Sequence, residues 1–208
     1  MKQTMVLLWC ILSGPGFPPA PRAHDYNLSQ LHSVDQEQPG VRIEVSSGFE
    51  PGRGTGVISA STADFAPATF TVVAGKLKAG DASSVAAQDG AVLKIKSVML
   101  DGSFGDIVEY DFNSALDPTT PSITFAIIQR TAVAPQREQL SVFNFSTASF
   151  ELLAEADLSF PSTTTRLSIT NPRHFVSDSG ELRLQVRVGD SQPEPWKHLI
   201  DQVSLTAE

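Results

Sequence analysis

The clearest pattern in the chain is strict alternation. Across Glu181–Val188, Leu182, Leu184, Val186 and Val188 interleave with Arg183, Gln185 and Arg187. Successive strand side chains point to opposite faces, so a period of two predicts a half-buried antiparallel strand. Related segments fill the last two-thirds of the chain. The candidate strands are Thr69–Ala74, Ala91–Val98, Ile107–Phe112, Ser122–Arg130, Gln139–Phe145, Phe150–Leu153, Thr164–Thr170, Glu181–Val188 and Ile200–Thr206. Turn dipeptides separate them, among them Asp89-Gly90, Asp101-Gly102, Asn171-Pro172 and Ser179-Gly180. No segment sustains a 3.6-residue apolar period. Nine short strands at near-even spacing predict an all-β fold, an antiparallel two-sheet β-sandwich of the jelly-roll kind, with a closed barrel as the alternative.

The pattern also divides the chain. Residues 66–208 form the predicted sandwich. Residues 24–65 are polar and rich in Gly, Ser and Pro, with a breaker cluster at Pro51–Gly56, and read as a partly ordered leader. Within that leader Val41–Val45 alternates and is expected to add an edge strand. Residues 1–23 read as a secretory signal: Lys2, an eight-residue apolar run Met5–Leu12 too short to span a bilayer, then small residues and prolines up to Ala23. A buried N-terminal strand or helix is the other reading of that run. No second apolar segment of this kind follows, so no membrane anchor is expected toward the C-terminus.

Composition narrows the class. The 208 residues are 41% hydrophobic and 18% charged, as in a globular protein with a substantial core. The formal net charge is −8, and removing residues 1–23 leaves 13 basic against 23 acidic residues, a balance of −10. That argues against nucleic-acid binding, which requires basic surfaces. Cys10 is the only cysteine and lies in the signal segment, which excludes disulfides and cysteine metal sites from the rest. An exported chain of this kind is expected in a bacterial envelope or the medium, stable through its core alone.

The order of motifs resembles a known group. Phe70–Leu77, Ala87–Gly90, Leu93–Ile95, Ile123–Ile127, Leu140–Leu153, Phe175-Val176, Ser179–Val188 and Ile200–Val203 succeed one another as in an uncharacterised β-sandwich domain of exported bacterial proteins. The layout is similar to the galactose-binding-like jelly rolls of many carbohydrate-binding modules. The resemblance implies a glycan-binding or cell-surface role without catalysis. The chain departs from that pattern at Ala148, where the group often has Gly.

Several residues are candidates for chemistry. Asp201, in Ile200–Val203, resembles a Ca²⁺ ligand of calcium-bearing jelly rolls. Calcium takes 6–8 oxygens, so Asp81 or Asp89 and loop carbonyls would have to complete the set. Anchoring of loop amides is the competing role for Asp201, and Asp89 and Asp101 also read as turn residues. Asp106, Glu109 and Asp111 form an acidic cluster in which Glu109 and Asp111 share a strand face; two carboxylates can serve a glycosidase, or simply be solvated. Arg183, Gln185 and Arg187 form an outward polar ladder that can contact an acidic sugar or a peptide, or pair with acids on a neighbouring strand, with Glu151 and Glu155 as the expected partners. Trp196 and, more weakly, Tyr110 can stack on a sugar ring or can cap the core. His174 and His198 are isolated in sequence, with no nucleophile or zinc spacing around them.

Two classes of function follow. The leading expectation is a secreted non-catalytic β-sandwich whose partner is a polysaccharide or cell-surface glycan. The alternatives are a small glycan-active hydrolase using the acidic cluster, or a purely structural spacer.

Overall fold

Alternating strands must bury one face each, and two sheets closing on each other achieve this. The computed structural model describes residues 40–47, 63–132, 136–158, 162–190 and 194–208. In chain order the strands are β1 (Val41–Ser47), β2 (Ala63–Phe65), β3 (Thr69–Ala74), β4 (Lys76–Ala79), β5 (Leu93–Lys96), β6 (Val98–Leu100), β7 (Ser103–Asn113), β8 (Ser122–Thr131), β9 (Gln136–Asn144), β10 (Ser149–Leu158), β11 (Thr163–Thr170), β12 (Glu181–Asp190) and β13 (Lys197–Ala207). A seven-stranded sheet runs β1-β11-β8-β13-β5-β4, with β2 also paired to β13. A six-stranded sheet runs β10-β9-β12-β7-β3, with β6 also paired to β7. Every pairing is antiparallel. The antiparallel two-sheet sandwich predicted from the alternation is therefore the fold. The expected signal segment lies outside the described residues, as does most of the leader. The leader's strand, β1, pairs with β11 along its whole length and forms a sheet edge.

The core lies between the sheets. The six-stranded sheet contributes Val108, Tyr110, Phe112, Leu140, Val142 and Leu182, Leu184, Val186 and Val188; the other contributes Ile123, Phe125, Ile127, Leu167, Ile169, Leu93, Ile95, Ile200, Val203 and Leu205, all buried. Phe112 and Phe125 meet across the gap with ring centroids 5.7 Å apart. Each such apolar side chain contributes roughly 1.5–3 kcal/mol on burial.

Short edge elements escape the pattern. β2, β4 and β6 have three or four residues, and β4 is exposed throughout, so no alternation marks them. The single-turn 3₁₀ helix Ala82–Val85 starts at Asp81, whose carboxylate accepts from Ser84 N–H. Several strands run past their predicted ends, and in two of them, β10 and β13, a bulge interrupts the period. The register of β10 against β9 shifts between Leu152 and Ala154, and that of β13 against β8 between Ile200 and Gln202. The β6–β7 hairpin turns on Asp101 and Gly102, both at positive φ (50° and 89°), as a two-residue Asp-Gly turn requires.

Candidate ligand-binding face

The outer face of the six-stranded sheet is built from the odd-numbered positions of β7, β9 and β12. Register brings them into rows. Arg183 lies opposite Asp111, which lies opposite Thr69; Gln185 lies between Glu109 and Ser141; Arg187 lies between Ile107 and Gln139; Gly189 lies between Gly105 and Arg137. Beyond β9, Phe150 faces Phe143, Leu152 faces Ser141 and Glu155 faces Gln139.

The predicted ladder of Arg183, Gln185 and Arg187 is real and half-exposed, and its partners are acids of its own strand, of the adjacent β7 and of the β6–β7 turn. Arg183 contacts Glu181 at 2.6 Å and Asp111 at 3.6 Å; Gln185 Nε2 donates to Glu109 at 2.9 Å; Arg187 donates to Asp101 at 3.0 Å. The expected pairing with Glu151 and Glu155 is not what forms. Glu155 accepts instead from Gln139 (2.6 Å) and Arg137, and Glu151 from Asn144 (2.7 Å). The Gln139 hydrogen bond, then the Arg137 guanidinium, hold the Glu155 carboxyl below its usual range. Pairs this exposed contribute about 0–1 kcal/mol each and are free to exchange partners.

The two predicted aromatic contacts lie elsewhere. Trp196 is 3% exposed and Tyr110 0%. Trp196 is a core cap: its backbone N–H donates to Ser97 Oγ at 2.8 Å, and its ring packs 6.2 Å from that of His198. Tyr110 points inward from β7, and burial pushes its hydroxyl pKa well above the usual value. Neither ring can stack on a sugar in this fold. The aromatic surface is a trio that the sequence reading missed. Phe143 packs edge-on against Phe145 (5.1 Å) and Phe150 (5.2 Å), all partly exposed, and the Arg183 guanidinium sits 5.2 Å from the Phe143 centroid. The available signal was the spacing Phe143, Phe145, Phe150 around a turn, which closes as a hairpin.

Two depressions open at the ends of this face. One, of about 280 Å³, is lined by Ser103, Arg137, Gln139 and Arg187 around the opposed glycines Gly105 and Gly189. A Cβ on Gly105 would stand 2.8 Å from Val188 O, so its hydrogen is what keeps the strands at this spacing. The other, of about 840 Å³ and more open, is lined by Phe145, Ser146, Arg173 and His174. His174 Nδ1 lies 3.0 Å from Ser146 Oγ.

The acidic cluster does not assemble. Asp106 occupies an even position of β7 and turns into the interior, whereas Glu109 and Asp111 lie on the outer face. Asp106 belongs to a buried chain of polar groups spanning the two sheets. Asp106 Oδ1 lies 3.0 Å from His198 Nδ1, and His198 Nε2 lies 2.7 Å from Gln129 Oε1. Gln129 Nε2 donates to Glu138, whose other oxygen accepts from Thr165 Oγ1 at 2.7 Å. Asp106, Glu138 and His198 are fully buried and Gln129 is 1% exposed. Their residue types suit acid–base chemistry, but no substrate reaches them; the chain is a clamp between the sheets.

Asp201 is the extra residue of the β13 bulge. Its Oδ1 is buried without a hydrogen-bond partner, and desolvation raises its pKa, with Asp89 adding to the rise and Arg130 opposing it. Asp89 itself accepts from Ala91 N–H at 2.9 Å, as a turn residue does. Among the described residues no group of three or more His, Cys, Asp or Glu is placed to hold a metal ion. No helix among the described residues is long and apolar enough to cross a membrane.

No family model and no curated protein matches the sequence. Among solved structures, the chain is similar to the CBM22-1–GH10 modules of the Clostridium thermocellum endo-1,4-beta-D-xylanase 10B complexed with xylohexaose, at 12% identity and a TM-score of 0.47; the alignment covers 69% of this chain and only 27% of that one. It is also similar to the CBM22-1 xylan-binding domain from Paenibacillus barcinonensis, at 9% identity, 70% and 92% coverage and a TM-score of 0.46. A third likeness, at 18% identity, 72% and 96% coverage and a TM-score of 0.41, is to TmCBM27, a carbohydrate-binding module that recognises mannan. At such scores the likeness bears on neither ligand nor chemistry.

Proposed function

We propose that this is an exported, non-catalytic β-sandwich that binds polysaccharide along the outer face of its six-stranded sheet. The observation that carries the reading is the register of that face. It sets hydrogen-bonding side chains with planar ends (Arg183, Gln185, Arg187, Gln139, Arg137) in rows beside the partly exposed Phe143–Phe150 pair. Guanidinium and amide groups suit sugar hydroxyls, and aromatic rings pack on apolar sugar faces. Catalysis is disfavoured because Asp106 is directed away from Glu109 and Asp111, which lie on an open sheet face already bonded to Gln185 and Arg183. Export is supported by the Met5–Leu12 apolar run after Lys2.

Native gel retardation in a panel of soluble neutral polysaccharides tests this, with reducing-sugar release measured in parallel. Retardation without hydrolysis is expected, lost in Phe143→Ala and in Gln185→Ala while the fold is retained. Sugar release that disappears in Asp111→Asn would establish a hydrolase instead. An intact Met1 peptide found only in cytoplasmic protein would refute export.

A further inference from the structure

We propose that the β4–β5–β13 end of the seven-stranded sheet is a second binding surface, on the opposite sheet from the face described above, and that it takes a linear acidic polysaccharide. Every lysine of the chain except Lys2 lies there: Lys76 and Lys78 on β4, Lys94 and Lys96 on β5, and Lys197 on β13. Register puts Lys76 opposite Lys96 and Lys96 opposite Lys197, three like charges in one row across three neighbouring strands. Strands stand about 4.8 Å apart, so the row spans about 10 Å. Lys94 lies one outward position further along β5, and Arg130 on β8 reaches the same face, opposite Leu199 of β13.

Like charges directly opposite each other destabilise a sheet. The chain has 23 acidic residues with which to neutralise them. Yet among the described residues every ion pair uses an arginine or histidine as its basic partner, and no lysine has one. With a net charge of −8 overall, these five lysines leave the remainder of the chain at −13. A concentrated cationic row left uncompensated in so acidic a protein is complementary to an external polyanion.

The chemistry of the row selects among polyanions. Lysine ammoniums are mobile point charges without arginine's fixed fork, so they follow a run of anionic groups and do not grip one bidentately. A row of separate charges spread across three strands suits an extended polymer and not a small ligand. A bilayer or a DNA duplex presents a broad charged surface that would also meet Asp81, Asp89 and Glu194, all exposed near these strands. A single flexible chain can follow the lysines and avoid them.

Polygalacturonate is the probe, in gel retardation and in titrations at low and physiological salt. The triple variant Lys76→Gln/Lys96→Gln/Lys197→Gln should bind at least about tenfold more weakly. The residual binding should depend less on salt. The melting temperature should hold or rise, because like-charge repulsion is relieved. Arg183→Gln/Arg187→Gln, on the other sheet, should leave polygalacturonate binding intact, so failure here and failure of the proposed neutral-glycan face are separable. The proposal is overturned if the lysine variant binds as the parent does, or if the arginine variant is the one that loses binding. It is equally overturned if vesicles of equal parts phosphatidylcholine and phosphatidylserine, or a short DNA duplex, bind as tightly through the same lysines.

Discussion

Glu138 offers a test in which two substitutions at one buried position move stability in opposite directions. Its carboxylate is fully buried on the inner face of β9 and accepts from Gln129 Nε2 and Thr165 Oγ1. Desolvation raises its pKa, more than its Thr165 and Gln129 hydrogen bonds and the His198 charge lower it. A raised acid pKa means that the folded state holds the proton more tightly than the unfolded chain. The stability Glu138 contributes is therefore complete below the unfolded pKa, about 4.3, and is lost as pH rises through the folded pKa. Glutamine mimics the protonated acid, keeping an oxygen for Gln129 and an amide to donate to the Thr165 hydroxyl. Glu138→Gln should match the parent at about pH 4 and exceed it at higher pH, the gap opening by at most about 1.4 kcal/mol per pH unit. For a chain of this size each 1 kcal/mol is about 2–4 °C in Tm. Glu138→Leu removes both acceptors and leaves two buried donors unpaired, at about 1–3 kcal/mol each, so it should cost about 2–6 kcal/mol at any pH. Urea unfolding of the three proteins across this pH range measures both effects. Parallel stability curves for the parent and Glu138→Gln, or a Glu138→Gln variant weaker than the parent at neutral pH, would refute the reasoning.

The remaining predictions are simpler. Ala148 holds a left-handed conformation (φ 53°) in the β9–β10 turn, so Ala148→Gly should raise stability by up to about 1 kcal/mol, glycine's relief of strain exceeding its entropic cost; a lower Tm would contradict this. Gly105→Val places a Cβ 2.8 Å from Val188 O and should cost about 1–3 kcal/mol in urea unfolding, a loss that would be absent if the strands can part freely. Trp196 is buried in the core, so its emission should be blue-shifted and unchanged by any polysaccharide that binds; a ligand-induced shift would show that the loop opens. Melts of the parent with calcium and with chelator should coincide, because no third carboxylate gathers around Asp201 and Asp89 among the described residues; a calcium-dependent rise in Tm that Asp201→Ala abolishes would establish a calcium site there.

Much of this architecture is legible in local sequence because strand geometry is local. Alternation at Glu181–Val188 determines which side chains face inward whatever the strand's neighbours, and all nine strands read from the pattern are present. The same parity places Asp106 on the opposite face from Glu109 and Asp111, and so already divides the acidic cluster. The elements that escaped are those in which the period is too short or broken: the exposed β4, the hairpin strand β6, and the bulges at Leu153 and Asp201. Partnership is a different matter, because it depends on which distant segments the folded chain sets side by side. His198 meets Asp106 across 92 positions, and Trp196 is buried by bonding to Ser97 across 99. The row Lys76, Lys96 and Lys197 exists only because β4, β5 and β13 pair in that register. A sequence pattern states what each face offers; only the tertiary structure decides whether a given side chain meets solvent, a counter-charge or the core, because burial and pairing are properties of the neighbours and not of the residue.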